Sequence, residues 1–247
     1  MTRPLDGRIA LVTGASRGIG WATARALAAA GAHVIAAART VGALEELDDR
    51  IKSAGGSATL VPIDLKDLDA VDRFAPAIEQ RWGKLDILVG NAGVLGPISP
   101  VAHIDPKVFD DVLKVNVTAN FRLLRSLDPL LRVSESGRVI MISSGAARRV
   151  RAYWGAYAAS KAALEALVRS YAAETMNITN VRAMLVNPGP MRTAMRASAA
   201  PGEDPETLPH PDDLAPEIVR MAGADWQDTG KLYDFPTRSL VAFDQPA

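Results

Sequence analysis

The chain has 247 residues, 48% of them hydrophobic, which suits one large α/β domain or two small ones. Its 28 basic residues balance 28 acidic residues, which argues against binding to nucleic acid or a membrane surface through a strong positive field. The sequence has no cysteine, no apolar run near ~18 residues and no apolar segment at its amino terminus. We therefore expect a cytoplasmic protein without disulfides or a thiol nucleophile.

The first predicted element is a strand from Ile9 to Thr13, followed by a glycine-rich turn and an Ala-rich helix to Ala30. The turn has the spacing G-x-x-x-G-x-G, with glycines at 14, 18 and 20. Glycine lets the backbone approach a pyrophosphate closely, and a helix amino terminus offers it free amides. This order predicts a dinucleotide-binding loop, although plain strand-to-helix turns can also be rich in glycine.

The second predicted strand, His33 to Ala38, is followed by Arg39. Folds that bind NAD generally place an acid here for the ribose 2'-hydroxyl, whereas an arginine suits a 2'-phosphate. The acid is absent, and Arg17 in the glycine loop is a second cation nearby. We predict NADP(H) rather than NAD(H) as cofactor; the alternative is that both arginines are solvated loop charges.

Strands and helices continue to alternate. We predict helices at 44–54, 68–82, within 106–131, at about 157–176 and at 212–222, and strands at 58–63, 85–89, 139–142, 181–187 and 232–235, the last at an edge. This pattern predicts a doubly wound parallel sheet, a Rossmann fold, in one domain over 1–247 with a flap at about 193–211. Asp64 and Asn91 follow the third and fourth strands, so they would lie beside the glycine loop or serve as turn formers.

The helical stretch within 106–131 is apolar on more than one face, which indicates either core packing or a subunit interface. Asn116 is polar in the middle of this series. A buried amide must be hydrogen-bonded, so Asn116 is either structural or part of a site. The interface interpretation predicts a homodimer or homotetramer.

Tyr157 and Lys161 are four residues apart, which places phenol and ammonium on one helix face. A nearby cation lowers a phenol pKa from ~10, so Tyr157 would exchange protons near neutral pH. Ser144 directly follows a predicted strand and would face the cleft at its carboxyl end. The spacing alone also occurs on solvated helices.

Arg148, Arg149 and Arg151 lie between this strand and this helix. Three cations near the cleft could receive an acidic substrate, such as an acyl group on a carrier protein or coenzyme A. The alternative is a solvated or subunit-contacting loop.

Taken together, these motifs resemble the short-chain dehydrogenase/reductase family, of the kind that includes 3-oxoacyl-carrier-protein reductases, over roughly residues 5–193. The resemblance implies an NADPH-dependent enzyme that reduces a ketone or 3-oxoacyl thioester, with Asn116, Ser144, Tyr157 and Lys161 as catalytic residues and no metal. Tyr157 would be the general acid/base, Ser144 would orient the substrate oxygen, and Lys161 would bind the nicotinamide ribose. Asn116 would hold a water in a proton relay, and Thr193 would contact the carboxamide. The implied cofactor-binding residues are Gly14, Ser16, Arg17, Gly18, Ile19, Gly20, Arg39, Asp64, Leu65, Asn91, Ala92, Gly93, Tyr157, Lys161, Pro188, Gly189 and Thr193.

The sequence departs from the family after Thr193. Many members end in a strand followed by Asp-Gly-Gly, which packs into a tetramer interface, whereas here Thr229 and Gly230 precede Lys231. This departure favours a dimer built on the helices at 106–131 and 156–176. A second reading of the whole chain is a regulatory protein that binds the cofactor with little turnover, and the intact catalytic residues favour the enzyme.

Overall fold

A computed structural model describes residues 3–243, and its strands form one sheet in the order β3-β2-β1-β4-β5-β6-β7-β8. The strands are Ile9–Thr13 (β1), His33–Ala38 (β2), Ser57–Pro62 (β3), Ile87–Gly90 (β4), Arg138–Ile142 (β5), Arg182–Asn187 (β6), Leu232–Asp234 (β7) and Ser239–Val241 (β8). Neighbouring strands are parallel from β3 to β7, and β8 runs antiparallel to β7. The predicted doubly wound sheet is confirmed.

Helices cover both faces of the sheet. They are Gly18–Ala29 (α1), Val41–Ser53 (α2), Leu68–Asp72 (α3), Phe74–Trp82 (α4), Pro106–Leu113 (α5), Ala119–Val133 (α6), Gly155–Thr175 (α7), Ala194–Ala199 (α8) and Pro211–Ala222 (α9). The buried side chains of α1, α2 and α9 join one core, and those of α4, α6 and α7 join the other. No helix within residues 3–243 is long and apolar enough to cross a bilayer.

The two cores follow from the alternation of side chains along each strand. In β1, Ala10 and Val12 belong to the core that contains Leu27 of α1, whereas Leu11 belongs to the core that contains Leu123 of α6. Successive residues of a strand point to opposite faces, and both faces of this sheet are covered. The central strands are therefore continuous apolar runs.

The predicted helix over 68–82 is two helices that meet at Arg73. Pro76 explains the break, because proline has no amide hydrogen and its ring clashes with the carbonyl of the residue four positions earlier, here Asp72. The helical stretch from 106 is also interrupted: a π-helical turn, Lys114–Thr118, separates α5 from α6 and contains Asn116.

The carboxyl-terminal part differs from the sequence-based expectation in two places. The region 193–211 contains α8 and a 3-10 turn at Pro205–Thr207, and Arg196 Nη2 donates to Glu203 Oε1 at 2.6 Å. The prediction that Leu232–Phe235 forms the edge of the sheet is wrong, because β8 pairs outside β7. A strand of three residues is too short for an alternating pattern to reveal.

Candidate active site

A cleft of about 840 Å³ runs along the carboxyl edge of the sheet. It is bordered by the glycine loop, by the segments that follow β2 to β6, and by the hairpin of β7 and β8. Every predicted site residue lines this cleft except Gly20 and Asn116. The structure therefore brings together residues that are up to 179 positions apart in sequence, from Gly14 to Thr193. Within residues 3–243 no cluster of His, Cys, Asp or Glu has the arrangement of a metal site.

The glycine loop requires glycine for both conformation and space. Gly14 and Gly18 have φ values of +67° and +58°, in the left-handed region that favours glycine. A Cβ on Gly20 would lie 2.3 Å from the Gly14 carbonyl oxygen and 2.4 Å from Asn91 Nδ2. Gly20 thus supports the loop from behind and does not face the cleft.

Asn91 ties the loop to the end of β4. Its Nδ2 donates to the carbonyl oxygens of Thr13 at 2.9 Å and Gly14 at 3.2 Å. In return, Thr13 Oγ1 accepts from the amides of Asn91 and Ala92, both at 3.1 Å. Asp64 also shapes a turn, because its Oδ1 accepts from Lys66 N at 3.0 Å. Both residues therefore build the edge of the cleft as well as lining it.

Two arginines form the positive end of the cleft. Arg17 and Arg39 are exposed, line the cleft and follow β1 and β2, which are adjacent strands. Among the described residues, neither has an acidic side chain within ion-pair distance. Their guanidinium groups are therefore available to an anion.

Tyr157 and Lys161 are buried at the other end of the cleft, 8% and 3% exposed. Lys161 Nζ lies 5.9 Å from the centre of the Tyr157 ring and donates to the Ile142 carbonyl oxygen at 2.7 Å. Gly93 lies against this ammonium, since a Cβ there would be in ordinary contact with Nζ at 3.6 Å. Ser144 completes the group from the end of β5, where its Oγ accepts from Ala146 N at 3.2 Å.

Burial dominates the ionisation of both groups. It raises the pKa of Tyr157, and the neighbouring Ser144 hydroxyl opposes that shift. Burial also lowers the pKa of Lys161 to about 8, opposed by the charge of Glu165. The sequence-based expectation of a lowered Tyr157 pKa is wrong for this structure, because desolvation of the phenolate outweighs the effect of the Ser144 hydroxyl.

Asn116 lies behind the cleft. It is fully buried, and its Oδ1 accepts from Val94 N at 2.8 Å while its Nδ2 donates to Val94 O and to Ser160 Oγ, both at 2.9 Å. Ser160 Oγ donates in turn to the Tyr157 carbonyl oxygen at 2.8 Å. The Asn116 side chain therefore joins the segment after β4 to the first turns of α7. A role in a water relay stays a prediction.

The three arginines after β5 are not equivalent. Arg148 Nε lies 3.7 Å from Glu165 Oε2, and its guanidinium is 5.6 Å from the Phe243 ring. Arg149 and Arg151 are exposed, line the cleft and have no ion-pair partner among residues 3–243. The hypothesis of an acidic substrate therefore depends on the latter two.

The sequence analysis did not identify two features of the cleft. Glu165 is a buried acid one helical turn beyond Lys161, and this spacing of four was a signal available in the sequence. The second is the hairpin of β7 and β8, which contributes Asp234; Asn187 Nδ2 donates to Asp234 Oδ1 at 2.6 Å. No local sequence signal identifies that contact.

Comparison with known proteins identifies the class. Residues 8–204 match the family model described as short chain dehydrogenase, and the chain belongs to the short-chain dehydrogenase/reductase family of oxidoreductases. The uncharacterized oxidoreductase YciK of Escherichia coli is 39% identical over 234 residues, 93% of this chain and 92% of that protein. A solved structure from Shigella flexneri complexed with NADP has a TM-score of 0.91 and 38% identity, covering 96% of this chain and 100% of that one. One from Escherichia coli complexed with NADPH has a TM-score of 0.90 and 38% identity, covering 95% and 99%.

The role of Gly20 can be tested by stability. Substitution Gly20→Ala should lower the free energy of unfolding by about 2–3 kcal/mol, because the added methyl overlaps the Gly14 carbonyl. The control is Gly42→Ala in α2, where nothing lies within 4 Å of a new Cβ, and alanine should stabilise the helix by up to about 1 kcal/mol. Urea unfolding of both variants measures the difference. Equal stability of Gly20→Ala and the parent protein would contradict this reading of the loop.

Proposed function

We propose that the chain is an NADPH-dependent carbonyl reductase in which Tyr157 is the general acid/base. The observation that carries this proposal is the convergence of Ser144, Tyr157 and Lys161 in the same cleft as Arg17 and Arg39. The segments after β2 and β5 are separated by three strand spacings, or about 14 Å. A dinucleotide lying across the strand ends would then span from the arginines to the tyrosine.

The residues at the arginine end fit a 2'-phosphorylated cofactor. No acidic side chain within residues 3–243 forms an ion pair with Arg17 or Arg39, and Ala38 stands where an acid would repel the phosphate. The glycine loop and the start of α1 offer backbone amides to a pyrophosphate. The relatives complexed with NADP and NADPH support the same assignment.

At the other end, Lys161 would hold the nicotinamide ribose, and Thr193 and the 188–189 turn would contact the nicotinamide. NADPH, when bound, supplies a hydride to the carbonyl carbon of the substrate. The Tyr157 phenol gives its proton to the carbonyl oxygen as negative charge develops there, and the Ser144 hydroxyl donates to the same oxygen. The Lys161 ammonium stabilises the phenolate that remains until it is reprotonated from solvent. A pKa raised by burial keeps Tyr157 protonated at neutral pH, as an acid in reduction requires.

Two further assignments belong to this proposal. The flap at 193–211 would cover the substrate, since Thr193 and Arg196 line the cleft and the ion pair of Arg196 with Glu203 holds α8 to the rest of the flap.

A homodimer would use the surface of α5 to α7, where Val108 and Phe121 are 41% and 47% exposed. A ketone and a 3-oxoacyl thioester are the candidate substrates, the latter favoured by Arg149 and Arg151.

The substitution Tyr157→Phe distinguishes the hypothesis of an enzyme from that of a regulatory protein that binds the cofactor with little turnover. We expect carbonyl reduction to fall by at least about 100-fold because the acid is lost, while NADPH binding stays within about twofold. The control is Tyr153→Phe, an exposed tyrosine near the same helix, which should keep full turnover. Turnover is measured as NADPH oxidation against a panel of ketones, quinones and 3-oxoacyl thioesters. Full activity of Tyr157→Phe, or binding without turnover in the parent protein, would count against the proposal.

Arg39→Ala tests the choice of cofactor. The variant should raise the Kd for NADPH by about tenfold and leave the Kd for NADH unchanged, because only NADPH carries the phosphate. Arg50→Ala removes an exposed arginine from α2 and should change neither. Fluorescence titration of the purified proteins gives both constants. Tighter binding of NADH than NADPH by the parent protein would overturn the argument from Ala38 and Arg39.

A further inference from the structure

Glu165 is a buried acid that the proposed chemistry does not use. It lies one turn after Lys161 on α7 and is 5% exposed, although glutamate is rarely buried unless it is paired. Its position is also behind the cleft and not on it, since Glu165 does not line the cavity. A carboxylate in this setting requires partners, and its partners belong to the active site.

One carboxylate oxygen of Glu165 holds the segment that directly follows β5 and contains Ser144. Ser143 Oγ donates to Glu165 Oε1 at 2.6 Å, and Lys161 Nζ donates to the carbonyl oxygen of the preceding residue, Ile142, at 2.7 Å. Two consecutive turns of α7 therefore hold the last residue of β5 and the residue that follows it. Because α7 also carries Tyr157, these contacts set the position of the Ser144 hydroxyl relative to the phenol.

The other oxygen faces positive charge. Arg148, from the turn after β5, places Nε 3.7 Å from Glu165 Oε2. Burial raises the pKa of Glu165, and the hydrogen bond from Ser143 and the positive charges of Arg148, Arg169 and Lys161 oppose that shift. Asp234 on β7 is a second carboxyl that feels the charge of Arg148; burial opposes, but hydrogen bonds from Thr237 and Asn187 and that charge hold its pKa below the usual range. The Arg148 guanidinium and the Ser143 hydroxyl therefore favour the ionised form of Glu165 against its burial.

We propose that Glu165 is a positioning residue for proton transfer: its carboxylate fixes the end of β5 against α7 and supplies the negative charge that keeps Lys161 an ammonium. Burial lowers the pKa of Lys161 to about 8 even though the charge of Glu165 opposes this shift. Without the carboxylate, Lys161 would lose its proton at lower pH. This inference rests on the proposed function, in which the ammonium stabilises the Tyr157 phenolate.

The test separates charge from hydrogen bonding. Glu165→Gln keeps an oxygen that can accept from Ser143 but removes the charge, and Ser143→Ala removes the hydrogen bond but keeps the charge. Glu174→Gln, an exposed acid on the same helix, is the control. For each protein, kcat/KM for reduction of a ketone is measured from about pH 6 to about pH 10.

Removing a negative charge favours loss of a proton from both Lys161 and Tyr157. In Glu165→Gln the alkaline fall of kcat/KM should therefore move to lower pH by about one unit. Ser143→Ala should lower kcat without moving that fall, and Glu174→Gln should match the parent protein. A profile of Glu165→Gln that overlies the parent profile would overturn the proposal.

A second measurement needs no turnover. The 13C NMR signal of the Lys161 ε-carbon, assigned by its loss in Lys161→Arg, should titrate at lower pH in Glu165→Gln by the same amount. If the variant does not fold, the carboxyl signal of Glu165 in the parent protein decides: an ionised group at neutral pH supports the proposal and a protonated one overturns it. Full turnover of Tyr157→Phe would instead contradict the proposed function. The titration of Lys161 could still be measured in that case, so the two failures can be told apart.

Discussion

The candidate active site depends on a buried ammonium that donates to the last carbonyl of a central strand. Lys161 is 3% exposed, and its Nζ lies 2.7 Å from the Ile142 carbonyl oxygen. A charge taken out of water is costly unless it is hydrogen-bonded and paired, so α7 can occupy this position only if β5 ends there. The contact joins β5, which ends just before Ser144, to the helix that carries Tyr157.

A second set of hydrogen bonds, made by the Asn116 side chain, fixes the same helix. The π-helical turn turns Asn116 towards the segment after β4, where the amide pairs with the Val94 backbone and reaches Ser160. π-turns within α-helices are rare and are found often at functional sites. The geometry of Tyr157 thus depends on hydrogen bonds to the segment after β4 and to the end of β5, and not on the helix alone.

The common cause of both pKa shifts is desolvation. Burial disfavours the phenolate of Tyr157 and the ammonium of Lys161, so the pKa of Tyr157 rises while that of Lys161 falls to about 8. The phenol is then a proton donor at neutral pH, and the lysine stays close to its own titration point. A charge near a group that titrates close to neutral pH has a large effect on whether that group keeps its proton. The Glu165 carboxylate behind Lys161 therefore affects the protonation of the lysine.

The sequence predicted the parts of the structure that depend on local pattern. Strand and helix order followed from periodicity, and the gathering of Arg39, Asp64 and Ser144 followed from their positions after parallel strands. Features set by tertiary contacts were missed. The direction in which the pKa of Tyr157 shifts depends on burial, and β8 is too short to show a pattern. In two places a signal was present in the sequence but was not used: Pro76 for the helix break and the spacing of Glu165 from Lys161.

The central claim is that this cleft transfers a hydride to a carbonyl, and isotope transfer tests it most directly. The protein would be incubated with a reducible ketone from the panel and with NADPH deuterated at one or the other face of C4, in separate reactions. The account predicts deuterium on the carbinol carbon from one of the two labelled cofactors and none from the other. Alcohol that carries no deuterium from either, or no alcohol formed from any member of the panel, would contradict it.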